Sequence, residues 1–106
     1  MVPKDELFQK RLSNIKKADM AVGAFLDGLL VGVVYSRKVL GFLPNITWLV
    51  REGYRETGIG KSQTQFFLDE VFRGCFVTAY CRNSGSKALA RRTGFFVIGN
   101  FGLWIR

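Results

Sequence analysis

From Ala21 onward the chain alternates between short apolar runs and glycine-bearing breaks, and the spacing of its apolar positions changes along the way. The run AVGAFLDGLLVGVVYS, residues 21–36, is apolar on both sides of Asp27-Gly28. That dipeptide favours a tight turn with left-handed backbone, so two strands joined as a hairpin are predicted. Gly41 to Asn45, with Pro44, reads as a loop, and Ile46 to Val50 as a third strand. From Gly58 the period lengthens: Ile59, Phe66, Phe67 and Val71 fit a helix ending near Arg73, with Gly74 as its stop. CFVTAYC, residues 75–81, returns to strand, and Asn83-Ser84-Gly85-Ser86 offers a cap to a short helix through Leu89 to Arg92. GFFVIGNFGLWIR closes the sequence as two strands turning at Gly99-Asn100. Ahead of all this, Leu7, Phe8, Leu12 and Ile15 fall near helical spacing between Asp5 and Lys17. Acidic residues open that segment and lysines close it, as a helix dipole favours.

The layout is a mixed α and β one in a single domain, with a helical segment over residues 1–20 and a core over 21–106. Ile46 to Cys81 forms a strand-helix-strand crossover, so its two strands are expected to run parallel with the helix covering one face. With 48% hydrophobic residues the chain can fill one modest core, and its ten Phe, at strand and helix spacing, are expected to be mostly core. The longest apolar run is interrupted by Asp27-Gly28, and MVPKDELFQK lacks the apolar segment of a secretory signal. A cytoplasmic protein with no membrane partner is the expectation.

Charge changes the picture more than composition does. Sixteen Lys and Arg against eight Asp and Glu leave +8, spread along the chain with only Lys16-Lys17, Arg37-Lys38 and Arg91-Arg92 as pairs. Such a field draws in polyanions, whether a nucleotide cofactor or a nucleic acid. The absence of His removes most zinc sites and every Ser-His or Cys-His nucleophile pair, and no metal is expected. Cys75 and Cys81 are read as two ordinary buried or half-buried thiols.

The stretch RETGIGKSQTQ, residues 55–65, raises the question of a phosphate loop. A Walker A motif needs glycine where Arg55 stands, and a dinucleotide fingerprint needs glycine where Gln63 stands. Neither applies. What remains is Arg55-x-x-Gly58-x-Gly60 between a strand and a helix, followed by Lys61. Glycines let backbone approach an anion, and the free amides of a helix's first turn bind phosphate or pyrophosphate.

This loop resembles the Arg/Gln-x-x-Gly-x-Gly/Ala signature of the GNAT superfamily of acetyl-CoA-dependent N-acetyltransferases. LVREGYRETGIGK is similar to that family's strand, turn and helix start. CRNSGSKALARRTGFF is similar to its second signature, an Asn at a strand end, a short helix and Gly-Phe. GAFLDGLLVGVV is similar to its central hairpin. The three stretches follow the family's order. The resemblance implies a central mixed sheet flanked by helices, with two parallel strands splaying apart to admit acetyl-CoA. It places the cofactor against Leu49, Val50, Arg55, Glu56, Thr57, Gly58, Ile59, Gly60, Lys61 and Asn83. Asn83 is equally a plain helix cap, and Arg91-Arg92 either reach the cofactor's adenosine phosphate or cover a helix surface.

The resemblance also breaks. Ala90 stands where the family commonly has the Tyr that protonates the leaving thiolate, with Ser84, Tyr80 and Cys81 as the nearest replacements. No carboxylate lies on the strand before the loop, and Glu52 and Glu56 in the turn are either bases or solvated surface charge, so the catalytic acid and base are not identified. Gln63 and Thr64 stand where an apolar helix face is usual, which suits a large or polymeric acceptor better than a buried metabolite pocket. The expected acceptor is an amine on a macromolecule, an acidic protein or a nucleic acid such as charged tRNA, with a site open to it or completed by a second subunit in a homodimer. Two alternatives stay open without catalysis: a nucleic-acid-binding module using Tyr54 or Trp104, and a CoA-binding regulatory protein.

Overall fold

In the computed structural model the described residues are 18–55 and 57–106. The expected helix at Asp5 to Lys17 lies outside them. Asp27 and Gly28 take φ of 51° and 80°, the left-handed turn that joins β1 (Met20–Leu26) to β2 (Leu29–Val39) as expected. β3 (Leu43–Val50) follows. The connection between β2 and β3 is shorter than the expected loop at Gly41 to Asn45. β2 runs on through Arg37 and Lys38, Pro44 lies inside β3 opposite Lys38, and the turn is confined to residues 40–42. Leu40, at φ 54°, takes a left-handed conformation that its side chain disfavours, so nothing in its identity announces the turn.

α1 (Ile59–Phe66) passes into a π-helical turn over Phe67–Val71, closed by the Phe72 amide donating to the Phe67 carbonyl at 2.8 Å. The Arg106 guanidinium donates to the carbonyls of Leu68, Phe72 and Gly74, serving acceptors that the helix end leaves open. β4 (Phe76–Tyr80), α2 (Ser84–Arg92), β5 (Phe96–Ile98) and β6 (Phe101–Ile105) complete the order. The six strands lie as β1-β2-β3-β4-β6-β5, and β3-β4 is the one parallel pair.

Both helices cover the same face. Val34, Ile46, Val77 and Ala79 meet Phe67 and Leu68 from the π turn and Ala90 from α2 in one buried cluster. Trp48 and Phe95 meet edge to face at 6.0 Å within it. The expectation for the phenylalanines fails. Phe67, Phe72 and Phe95 are buried, but Phe25, Phe42, Phe66, Phe76, Phe96 and Phe101 are exposed, because apolar side chains also occupy the uncovered sheet face, the turns and, at Phe66, the outer side of α1.

Candidate functional site

The site begins with what β3 and β4 do not do. They pair only at Asn45 with Thr78 and Ile46 with Ala79, a seam reinforced by the Asn45 amide donating to Thr78 Oγ1 at 3.1 Å. Beyond it, Thr47 to Val50 have no partner on β4, leaving about 13 Å of strand edge open. The Arg51 amide donates to the Val31 carbonyl at 2.7 Å, so by the alternation of an antiparallel ladder Leu49 also turns its backbone toward β2. Trp48 and Val50 therefore present theirs to the gap. Of the two strand residues expected to meet a cofactor, Val50 has its amide there and Leu49 does not.

The motif loop stands at the open end of this gap. Gly58 is the N-cap of α1 at φ 84°, and no side chain caps the helix. With Ser62 N donating to Gly58 O at 3.0 Å as the first helical bond, the amides of Ile59, Gly60 and Lys61 are the donors that the first turn leaves over. No acidic residue stands in that turn, so the positive end of the dipole is uncompensated. Gly60 fixes where this end points: a Cβ on it would come within 3.3 Å of Val50 Cγ2 and 3.4 Å of Leu89 Cδ2. Lacking that atom, the helix start seats against the end of β3 and against α2. Thr57 donates through Oγ1 to Tyr54 O, and Arg55 Nε donates to Val50 O at 3.4 Å, so the loop is tied to the strand. Lys61 is exposed, and Glu56 lies outside the described residues.

Asn83 closes the other side. Its Oδ1 accepts from the Ser86 amide at 2.8 Å, and Ser86 Oγ receives the Asn83 amide in return at 3.2 Å, a complete capping box. The cap is thus observed. Ser84 sits beside it, exposed. Tyr80, 53% exposed, lies on the far face of the sheet with the Arg82 guanidinium 5.4 Å from its ring. Cys81 and Ala90 are both fully buried in the core cluster. Burial pushes the Cys81 thiol up from its ordinary range against the opposing pull of Lys87 and Arg91. Cys75, contrary to expectation, is exposed, and both thiols are free. Glu52 is exposed in the turn after β3. Tyr54 and Trp104 are half-buried, and Trp104 packs edge to face on Phe72 at 6.2 Å, so it offers no open ring for a base.

Two side chains that hold this end of the molecule carry no motif. Arg51 is buried and its Nε donates to Leu30 O at 3.0 Å, tying the loop's first residue to β2. Gln63 reaches down from α1, its Nε2 donating to Val33 O at 3.3 Å and Leu49 O at 3.2 Å. Gly32 makes room for it, since a Cβ there would lie 2.5 Å from Gln63 Oε1. Gln63 and Thr64 are both buried, and Gln63 turns its amide to the sheet and not to an acceptor; polar residues where an apolar helix face is usual were the available signal. Among the described residues Gln63 Oε1 and Thr64 Oγ1 have no hydrogen-bond partner.

No protein-family model matches the sequence, and no curated protein matches it. Solved structures do. A ribosomal-protein-alanine N-acetyltransferase from Brucella melitensis superposes with a TM-score of 0.72 at 22% identity, covering 95% of this chain and 78% of its own. The ribosomal alpha-N-protein acetyltransferase RimL, in complex with coenzyme A, gives 0.70 at 16% identity over 95% of this chain and 70% of its own. The chain has the GNAT acetyltransferase fold. A third neighbour, the Campylobacter jejuni N-acetyltransferase PseH in complex with acetyl coenzyme A, gives 0.63 at 14% identity over 96% and 79%. The central mixed sheet, splayed parallel strands and flanking helices expected from the GNAT resemblance are thus the observed architecture.

Proposed function

We propose that the protein is an acetyl-CoA-dependent N-acetyltransferase acting on an amine of a macromolecule. The observation that carries this reading is the junction at Gly60, where an uncapped helix start meets an unpaired strand edge. A pyrophosphate and a chain of amides joined to it need those two features side by side. The amides of Ile59, Gly60 and Lys61 would receive the pyrophosphate, with the Lys61 ammonium adding charge. The backbone of Trp48 and Val50 would pair with pantetheine as an added strand does. The cap uses Asn83 Oδ1, so its amide nitrogen is the half that would face the cofactor. Acetyl-CoA would supply the acyl group as a thioester.

The acceptor amine must be neutral to react. An amine of pKa about 10.4 is neutral in only about one molecule in a few thousand at pH 7, so a base raises the rate. Glu52, two residues past the open strand, would be the carboxylate to serve. Buried Cys81 and far-face Tyr80 are poorly placed as acids, which leaves Ser84 at the start of α2. A net charge of +8 favours an acidic protein or a nucleic acid as the carrier of the amine, and two of the neighbours bear names of enzymes acting on ribosomal proteins.

Ala90 favours a second reading. It is fully buried where the GNAT resemblance places the thiolate's proton donor, which suits a CoA-binding regulatory protein without turnover. Calorimetric titration of acetyl-CoA into the protein and its Arg55→Ala and Gly60→Trp variants, at moderate salt, tests what the two readings share. Micromolar binding by the parent, lost in Gly60→Trp and weakened in Arg55→Ala, is expected. No binding by a folded parent would sink both. Release of free thiol in the presence of protein or tRNA acceptors separates the first reading from the second, and efficient acetylation of a free polyamine would count against a macromolecular acceptor.

A further inference from the structure

The sheet face turned away from the helices carries an apolar surface on β4, β6 and β5 that cofactor binding leaves unused. Register places Phe76 beside Ile105, and Tyr80 beside Phe101, which in turn lies beside Ile98; Phe96 continues the same face two residues before Ile98. All six are exposed, from 40% at Phe76 to 83% at Ile98. Their strand neighbours Val77, Ala79, Val97 and Trp104 pack into or against the core. A solvated antiparallel face normally alternates apolar-in with polar-out. These three strands instead contain no Lys, Arg, Asp or Glu, in a chain that is 23% charged.

At about 200 Å² for a fully exposed aromatic side chain, the six leave on the order of 700 Å² open. That exceeds what most monomers expose in one patch and approaches the roughly 800 Å² per partner of a standard stable interface. We propose that this face is a homodimer interface, two copies packing sheet on sheet about a two-fold axis. The absence of charge selects the partner. A nucleic acid or an acidic protein would be met by cations set among the rings, whereas among the described residues Arg82 meets Tyr80 only from beyond the end of β4 and Arg106 turns to the helix side, over Trp104. An uncharged face is its own complement, and it lets two basic chains meet without bringing like charges into contact. The strands alternate in the usual way, so the two inner faces would interdigitate at about 10 Å as in a β-sandwich.

Light scattering on a sizing column tests this with the full chain at about 50 μM. The parent is expected at twice the 12.0 kDa of one chain. Ile98→Lys, and separately Phe96→Ser, should give monomers with unchanged circular dichroism, because both positions are already exposed. Leu40→Lys, equally exposed at 83% but in the β2-β3 turn, should stay dimeric. A monomeric parent overturns the proposal, including one that instead sediments with phosphatidylcholine or phosphatidylserine vesicles, where the face would be a lipid contact. A dimer that survives both folded substitutions overturns it too. If Ile98→Lys does not fold, Phe96→Ser decides. The outcome is independent of acetyl-CoA binding.

Discussion

β3 is zipped to β2 through eight residue pairs and to β4 through only two. The two edges of one strand thus do different work. The β2 side builds a continuous ladder whose strand is buried on both faces from Val31 to Ser36. The β4 side joins the halves of the molecule at Asn45 and Ile46 and then opens, leaving backbone donors and acceptors with no strand partner at the place where α1 begins. Unpaired sheet backbone is normally a liability, managed by covering or by charge. Here it adjoins an uncapped helix start, and the proposed cofactor site rests on that pair.

The sharpest way to break this comparison is at the short seam. Ile46 is 2% exposed and faces the core beside Ala79, so Ile46→Ala should cost about 3 kcal/mol in urea unfolding. A cost under about 1 kcal/mol would mean that β4 is held by β6 alone. Gly58→Ala tests the open end. The φ of 84° there disfavours any side chain, so stability should drop by about 1–2 kcal/mol. Acetyl-CoA affinity should fall about tenfold, the equivalent of about 1.4 kcal/mol, as the first turn loses its geometry. Binding unchanged by this substitution would detach the anion site from the helix start. The smallest effect belongs to Cys81, which lies directly beyond β4 and inside the core. Its labelling by a thiol reagent should lag that of exposed Cys75 at least about 100-fold, because it requires local unfolding. Its thiol is raised, so its contribution to stability is complete below the ordinary value of 9.0 and is lost as pH climbs through the folded value. Equal labelling of the two thiols would show that the gap reaches into the core.

The turns at Asp27-Gly28 and Gly99-Asn100, the crossover from β3 to β4 and the cap at Asn83 could be read from residue chemistry, because each depends on a local conformational preference. The β2-β3 turn could be read at Gly41, φ 80°, but its bounds could not. Leu40 carries no preference for its φ of 54°, and Pro44 reads as a breaker although it lies in a strand. The motif marked the glycine turn at which α1 begins. The extent of the gap was hidden, since it depends on where two strands part and not on what either contains. Gln63 was visible as a misfit, but its use as a strut between α1 and two strand carbonyls needed the fold. Phenylalanine at strand spacing says that a side chain alternates, and not whether anything covers the side it points to.

The strand order carries a further consequence, in time and not in energy. β6 lies between β4 and β5, so β4 gains its long partner only from residues 101–105, about twenty positions downstream of its own end. β1, β2 and β3 can zip through neighbouring hairpins, whereas β4 meets both β3 and β6 only across long stretches of chain. Local hairpins close in microseconds and non-local pairings later. The half that presents the motif loop and the gap is therefore shaped by the most distant pairings of the sheet, the seam across 33 residues and the β4-β6 ladder.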